Sequence, residues 1–214
     1  QLVVESKGIY SIENFLVARR LMYWQVYLHK TSVAYENMLV SALLRAKELA
    51  SKGVELFASP ALKFFLYNDI NRERFKSDPK CLENFILLDD NDIWTALKVW
   101  CNHNDIILAT LSQGMVNREI FKVEVSPTPC TEERLNTISE RIAKQLHISK
   151  EDTRYFISTP SIEKNMYNPA DDSIDILYND GSTTNIAEAS DMLHLSVLSK
   201  KVKKYYICYL REKK

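Results

Sequence analysis

The sequence predicts an α+β protein: a helical N-terminal half built on one long helix, followed by a ferredoxin-like βαββαβ subdomain. Two observations carry this reading. Residues 11–50 contain neither Gly nor Pro, so nothing in that stretch must break a helix. From Glu119 onward the apolar residues stop recurring at three- and four-residue steps and begin to alternate, with Phe121, Val123 and Val125 on one face. The division falls between Arg118 and Glu119, giving an all-helical region over 1–118 and an α+β subdomain over 119–214.

The chain enters through LVVE, which reads as a short strand or as the tail of a preceding element, and Gly8 punctuates it before Ser11, a good N-cap. An unbroken helix over 11–50 would be about 60 Å long, more than most globular helices, so a bend near Thr31-Ser32 is expected. Its second half shows one apolar stripe through Tyr35, Met38, Leu39, Ala42, Leu43, Ala46, Leu49 and Ala50, with Glu36, Ser41, Arg45 and Glu48 turned away. Its first half is apolar nearly all round, which predicts burial on every side. Yet Arg19, Tyr23, Tyr27 and Lys30 lie within about 80° of one another on that half. Two cations and two phenols on a buried helix need a partner. An anionic, ring-bearing ligand such as a nucleotide would serve; so would neighbouring carboxylates, with the tyrosines simply packed.

Gly53 supplies a left-handed stop, and Pro60 opens a short helix over 61–67. Residues 69–76 read as a polar turn, and Asp78-Pro79 starts a helix through Leu87. The acidic run Asp89-Asp90-Asn91-Asp92 lacks the Gly and closing Glu of a calcium loop, and reads instead as the cap of a helix over 92–101, with Asp90 or Asn91 as N-cap. Asp105 starts a further helix to about Asn117. The second half reads as a strand near 120–125, a helix from Thr131 with its stripe on Leu135, Ile138, Ile142 and Leu146, and a strand at 155–157. A polar passage with Pro160 and Pro169 follows, then a strand at 174–178, a turn at 179–182, a helix over 186–198 and a last strand over 202–210.

Composition narrows the function. Lys plus Arg and Asp plus Glu both number 28, so no overall field recruits nucleic acid or a membrane surface. Only four glycines are present, and neither a G-x-G-x-x-G nor a P-loop motif occurs. Cys81, Cys101, Cys130 and Cys208 form no C-x-x-C pair and read as free thiols of a cytoplasmic protein. His29, His103, His147 and His194 stand alone, without metal-ligand spacing. The ferredoxin-like pattern invites an RNA-binding reading, but its strands lack the aromatic signature and the half is not basic. The opening on Gln rather than Met suggests a piece of a longer polypeptide.

FLVARRLMYWQVYLHKT, with its R-x-x-x-x-x-x-x-Y-x-H-K pattern, resembles the segment after the catalytic core in HD-domain phosphohydrolases of the bacterial deoxynucleoside-triphosphate (dNTP) triphosphohydrolase type. LLDDNDIW and NREIFKVEV resemble later parts of the same family. The resemblance implies that Arg19 contacts substrate phosphate and that Tyr27 packs on the deoxyribose, with Tyr23 beside them. It also implies that His29 and Lys30 lie near a regulatory nucleotide site at a subunit interface. Where some relatives carry Gln, this chain has Leu28. The family's His, His-Asp and Asp metal ligands precede the matching segment and are not among these residues. The resemblance therefore implies the C-terminal part of a homo-oligomeric dNTP triphosphohydrolase, with no catalytic or metal-binding residue of its own and a divalent metal in the full-length parent. The alternatives are a regulatory or assembly module, or a ferredoxin-like adaptor that binds proteins without catalysis.

Overall fold

A computed structural model describes residues 2–164, 173–190 and 202–212. The chain divides into two compact units that interleave along the sequence. One comprises 1–33, 125–129 and 160–206, the other 34–124, 130–159 and 207–214. Arg118 and Glu119 both lie in the second.

In the first unit, β1 (Val4–Glu5) leads through a short 3₁₀ turn into α1 (Ile9–Met22). The helix does not continue unbroken to Ala50. Tyr23–Tyr27 widens into a π-helical turn, where the Leu28 N–H donates to the Tyr23 carbonyl five residues back, at 2.8 Å. Leu28 then leaves helical geometry (φ −102°, ψ 14°), and α2 (Lys30–Ser51) starts afresh. The expected bend at Thr31-Ser32 thus falls three residues earlier, and those two residues help to make it. The Ser32 hydroxyl donates to the Val26 carbonyl at 2.9 Å, and the Thr31 N–H donates to His29 Nδ1 at 3.2 Å. Side chains that bond the backbone locally compete with the helical ladder. Nor is the first half buried all round: on α1 only Glu13 and Leu16 are buried, while Phe15, Leu21 and Met22 are exposed.

The ferredoxin-like arrangement is also corrected. It requires one sheet holding all four strands of the C-terminal half. Instead β5 (Asp175–Leu177) pairs in parallel with β1 (Val4↔Ile176) and antiparallel with β6 (Thr183–Asn185), in a separate three-stranded sheet. The cause is shared burial: Ile176 and Ile186 form one apolar cluster with Leu16 of α1, with Val4, Ile9 and Ile12 packed against it. The Asn179–Ser182 turn between β5 and β6 places Gly181 at φ +84°, as the turn chemistry predicts. α9 (Ile186–Ala189) matches the start of the helix expected over 186–198; residues 191–198 lie outside those described, as does Pro169. In the same unit β4 (Ser161–Lys164) pairs antiparallel with the first half of β7 (Val202–Tyr209).

The second unit holds the remainder of α2 and a set of shorter helices. α3 (Pro60–Tyr67), α5 (Pro79–Leu87) and α7 (Ile106–Val116) follow the predicted boundaries, and Ser59, Asp78 and Asp105 cap them. The polar stretch read as a turn contains a further helix, α4 (Arg72–Ser77), capped by Asn71. α6 (Asp90–Trp100) is capped by Asp89 rather than by Asp90 or Asn91. Asp89 accepts from the Asn91 and Asp92 N–H groups, while Asp92 Oδ2 accepts from the Asp89 N–H, a reciprocal box with Asp in place of Glu. Gly53 closes α2 at φ +82°. Met38, Ala42, Ala46 and Ala50 are buried along it, and Leu97, Trp100, Leu108 and Leu111 are buried on α6 and α7. β2 (Lys122–Ser126), α8 (Glu132–Leu146) and β3 (Ile157–Ser158) follow; β3 pairs with the end of β7 (Ile157↔Tyr209) and β2 flanks β7's other edge.

Arg45 and Glu48 do not turn to solvent. Arg45, 11% exposed, donates a two-pronged bond to Asp105 at 3.1 and 2.6 Å. Glu48 accepts from Lys52 at 2.6 Å, from the Tyr155 hydroxyl and from Arg154 at 3.2 Å. Those bonds, Lys52 first and Tyr155 next, hold the Glu48 carboxyl down at about 2, and the bond to Asp105 raises the Arg45 guanidinium. Among the described residues no helix is long and apolar enough to cross a membrane.

Candidate functional site

The candidate site forms where α1 gives way to the π turn, within the first unit. Four-residue spacing stacks Arg19 over Tyr23 and Tyr23 against Tyr27. The Arg19 guanidinium carbon lies 5.8 Å from the Tyr23 ring centroid, within cation–π range. The Tyr23 and Tyr27 rings lie 5.4 Å apart at 45°. Arg19 and Tyr27 are exposed and Tyr23 is half-buried. Among the described residues neither Arg19 nor Lys30 has a carboxylate within ion-pair distance, so the pairing that would make these cations purely structural is not formed there. A guanidinium beside a phenol face, with no carboxylate on it, keeps the planar fork of donors that suits a phosphate.

The break in the helix separates His29 and Lys30 from this stack. His29 is exposed at the start of α2, and its Nδ1 accepts from the Thr31 N–H. Lys30 is exposed and makes no hydrogen bond, ion pair or ring contact with the described residues. Arg19, Tyr23 and Tyr27 are therefore brought together, and His29 and Lys30 form a neighbouring pair.

Two contributors escaped the sequence reading. Lys204 of β7 places its ammonium 3.9 Å from the Trp24 ring, and the Tyr206 hydroxyl donates to the Leu28 carbonyl at 3.3 Å. The second bond satisfies a carbonyl that the broken helix leaves without a helical donor. Both come from a strand far along the chain, and no spacing near residue 24 points to them. Among the described residues no group of three or more His, Cys, Asp or Glu is placed to hold a metal ion.

Residues 1–58 match the model of the HD associated region, the segment that holds Arg19, Tyr23, Tyr27, His29 and Lys30. Over 128 residues the chain is 29% identical to the uncharacterized protein YwfO of Bacillus subtilis (strain 168), covering 59% of this chain and 28% of that one. The crystal structure of a phosphohydrolase from Bacteroides thetaiotaomicron VPI-5482 is 72% identical, with a TM-score of 0.93 over 99% of this chain and 52% of its own. The chain thus spans about half the length of that phosphohydrolase and about a quarter of YwfO. Together the matches support an HD-type phosphohydrolase as the kind of protein to which this chain is similar.

Proposed function

We propose that this chain is the C-terminal, substrate-contacting and subunit-pairing part of a metal-dependent dNTP triphosphohydrolase of the HD type. The observation that carries the reading is the Arg19–Tyr23–Tyr27 stack, whose cation meets no carboxylate among the described residues. Arg19 binds substrate phosphate, Tyr27 walls the sugar, and Tyr23 holds both in place. A wall against C2′ leaves no room for a ribose hydroxyl, which favours deoxynucleotides. His29 Nε2 and Lys30 offer a donor and a cation to a second, regulatory nucleotide.

The divalent ion that this chemistry calls for finds no fitting cluster among the described residues. Its ligands are assigned to the rest of the parent, since the matched phosphohydrolase is nearly twice as long as this chain. What these residues supply is binding and orientation.

The test is steady-state kinetics of the full-length protein with Arg19→Ala. Losing a charge-assisted contact to phosphate is expected to cost ~2–4 kcal/mol, roughly 30- to 1000-fold in kcat/KM. Normal kinetics in Arg19→Ala would overturn the assignment.

A further inference from the structure

The turn that carries the candidate site is held from outside by one strand. Alternate residues of a strand point to the same face. On β7, Lys203 and Tyr205 meet each other, with the ammonium 5.2 Å from the ring centroid. Lys204 and Tyr206, out of step with that pair, instead reach the π turn: Lys204 covers the Trp24 ring and the Tyr206 hydroxyl bonds the Leu28 carbonyl. Trp24 and Leu28 are four residues apart, so they share one helical face, and the strand meets that face at two points.

Both contacts come from fixed backbone. Lys204 lies opposite Ile162 in the ladder with β4, and the Tyr206 N–H donates to the Pro160 carbonyl at 2.9 Å. The Tyr206 ring is buried, and a buried phenol takes a polar partner within the fold. The turn itself has little to hold it. A π turn is rare and short, and this one closes on the Leu28 N–H to the Tyr23 carbonyl at 2.8 Å and the His29 N–H to the Val26 carbonyl at 3.3 Å. Tyr23 and Tyr27 precede Trp24 and Leu28 by one residue each, so a turn that unwinds carries the stacked rings with it.

We infer, on the role proposed above for Tyr27, that Tyr206 and Lys204 are positioning residues that hold the π turn closed and thereby set the choice of sugar. With the turn closed, the Tyr27 wall admits a deoxyribose and excludes a ribose; with the turn open, both enter. Use of a ribonucleotide then follows the open fraction of the turn, while use of a deoxynucleotide depends on it only weakly.

The test compares full-length wild type with Tyr206→Phe, Lys204→Met and Lys204→Arg, by amide hydrogen exchange and by steady-state kinetics on dGTP and GTP. Losing one such contact is expected to speed exchange over residues 24–29 roughly 2- to 12-fold, with exchange in α7 unchanged. In Tyr206→Phe and Lys204→Met, kcat/KM for GTP is expected to rise by the same factor and that for dGTP to fall about twofold or less. Lys204→Arg keeps a cation on Trp24 and should restore both readings to near wild type. Exchange at the wild-type rate in both Tyr206→Phe and Lys204→Met would overturn the inference. So would faster exchange throughout the molecule, which marks a loss of stability alone, or a dGTP-to-GTP ratio that does not follow the exchange. If wild type turns over no dNTP while exchange over 24–29 still responds, the nucleotide reading falls and the hold on the turn stands.

Discussion

Tyr27 stacks on Tyr23 and keeps 56% of its surface exposed, so it can act as a wall beside a bound sugar. Removing a wall costs less than removing a charge. Tyr27→Ala is expected to lower kcat/KM for a deoxynucleotide by about tenfold or less. It should lower discrimination against the matching ribonucleotide by more, as read from parallel kinetics on dGTP and GTP. An unchanged ratio would contradict the role given to this ring. The stack was legible because 19, 23 and 27 are four apart and survive the change from α to π geometry. Lys30 was grouped with them on the assumption of a continuous helix, and the break at Leu28 removes that phase relation. Lys204 on Trp24 was not legible at all, since only tertiary folding brings β7 there.

At the scale of elements, α2 shows how a stripe can be right while its opposite face is misread. Met38, Ala42, Ala46, Leu49 and Ala50 are buried as their spacing predicts, while Tyr35, Leu39 and Leu43 at its margins are half-buried. Arg45 and Glu48 looked solvated because pattern alone does not reveal Asp105, Arg154 or Tyr155 on other elements. Glu48 titrates at about 2 in the folded chain against an ordinary 4.5. A lowered folded value means that its contribution is complete above about pH 4.5 and is lost as pH falls toward 2. Glu48→Gln is therefore expected to flatten the fall in urea stability across that window; an identical acid slope would show that the network contributes nothing. Arg45→Ala strands Asp105 and is expected to cost about 3–5 kcal/mol at neutral pH by urea titration. At Gly114 on α7, a Cβ would come 2.8 Å from the Met38 side chain and 3.2 Å from the Glu119 carbonyl oxygen. Gly114→Ala should then destabilise by about 1–3 kcal/mol, measured the same way, and a neutral result would mean that Met38 simply swings aside.

For the whole molecule, the sequence foretold the α+β class and the change of period near Glu119, but not how the strands are shared. Alternation marks a strand without naming its partner, so the run at 174–178 could not announce that it pairs with β1 near the N-terminus. The burial of Ile176 and Ile186 against Leu16 decides that pairing. The proposed reaction is hydrolysis of deoxynucleoside triphosphates, with Arg19, Tyr23 and Tyr27 holding the substrate. Its most direct test incubates the full-length protein with each dNTP and each ribonucleotide and a divalent ion, and identifies the products by anion-exchange chromatography. Deoxynucleoside and intact tripolyphosphate, formed from dNTPs in preference to ribonucleotides, are the expected result. Release of single phosphates or pyrophosphate, or no turnover of any dNTP, would contradict it.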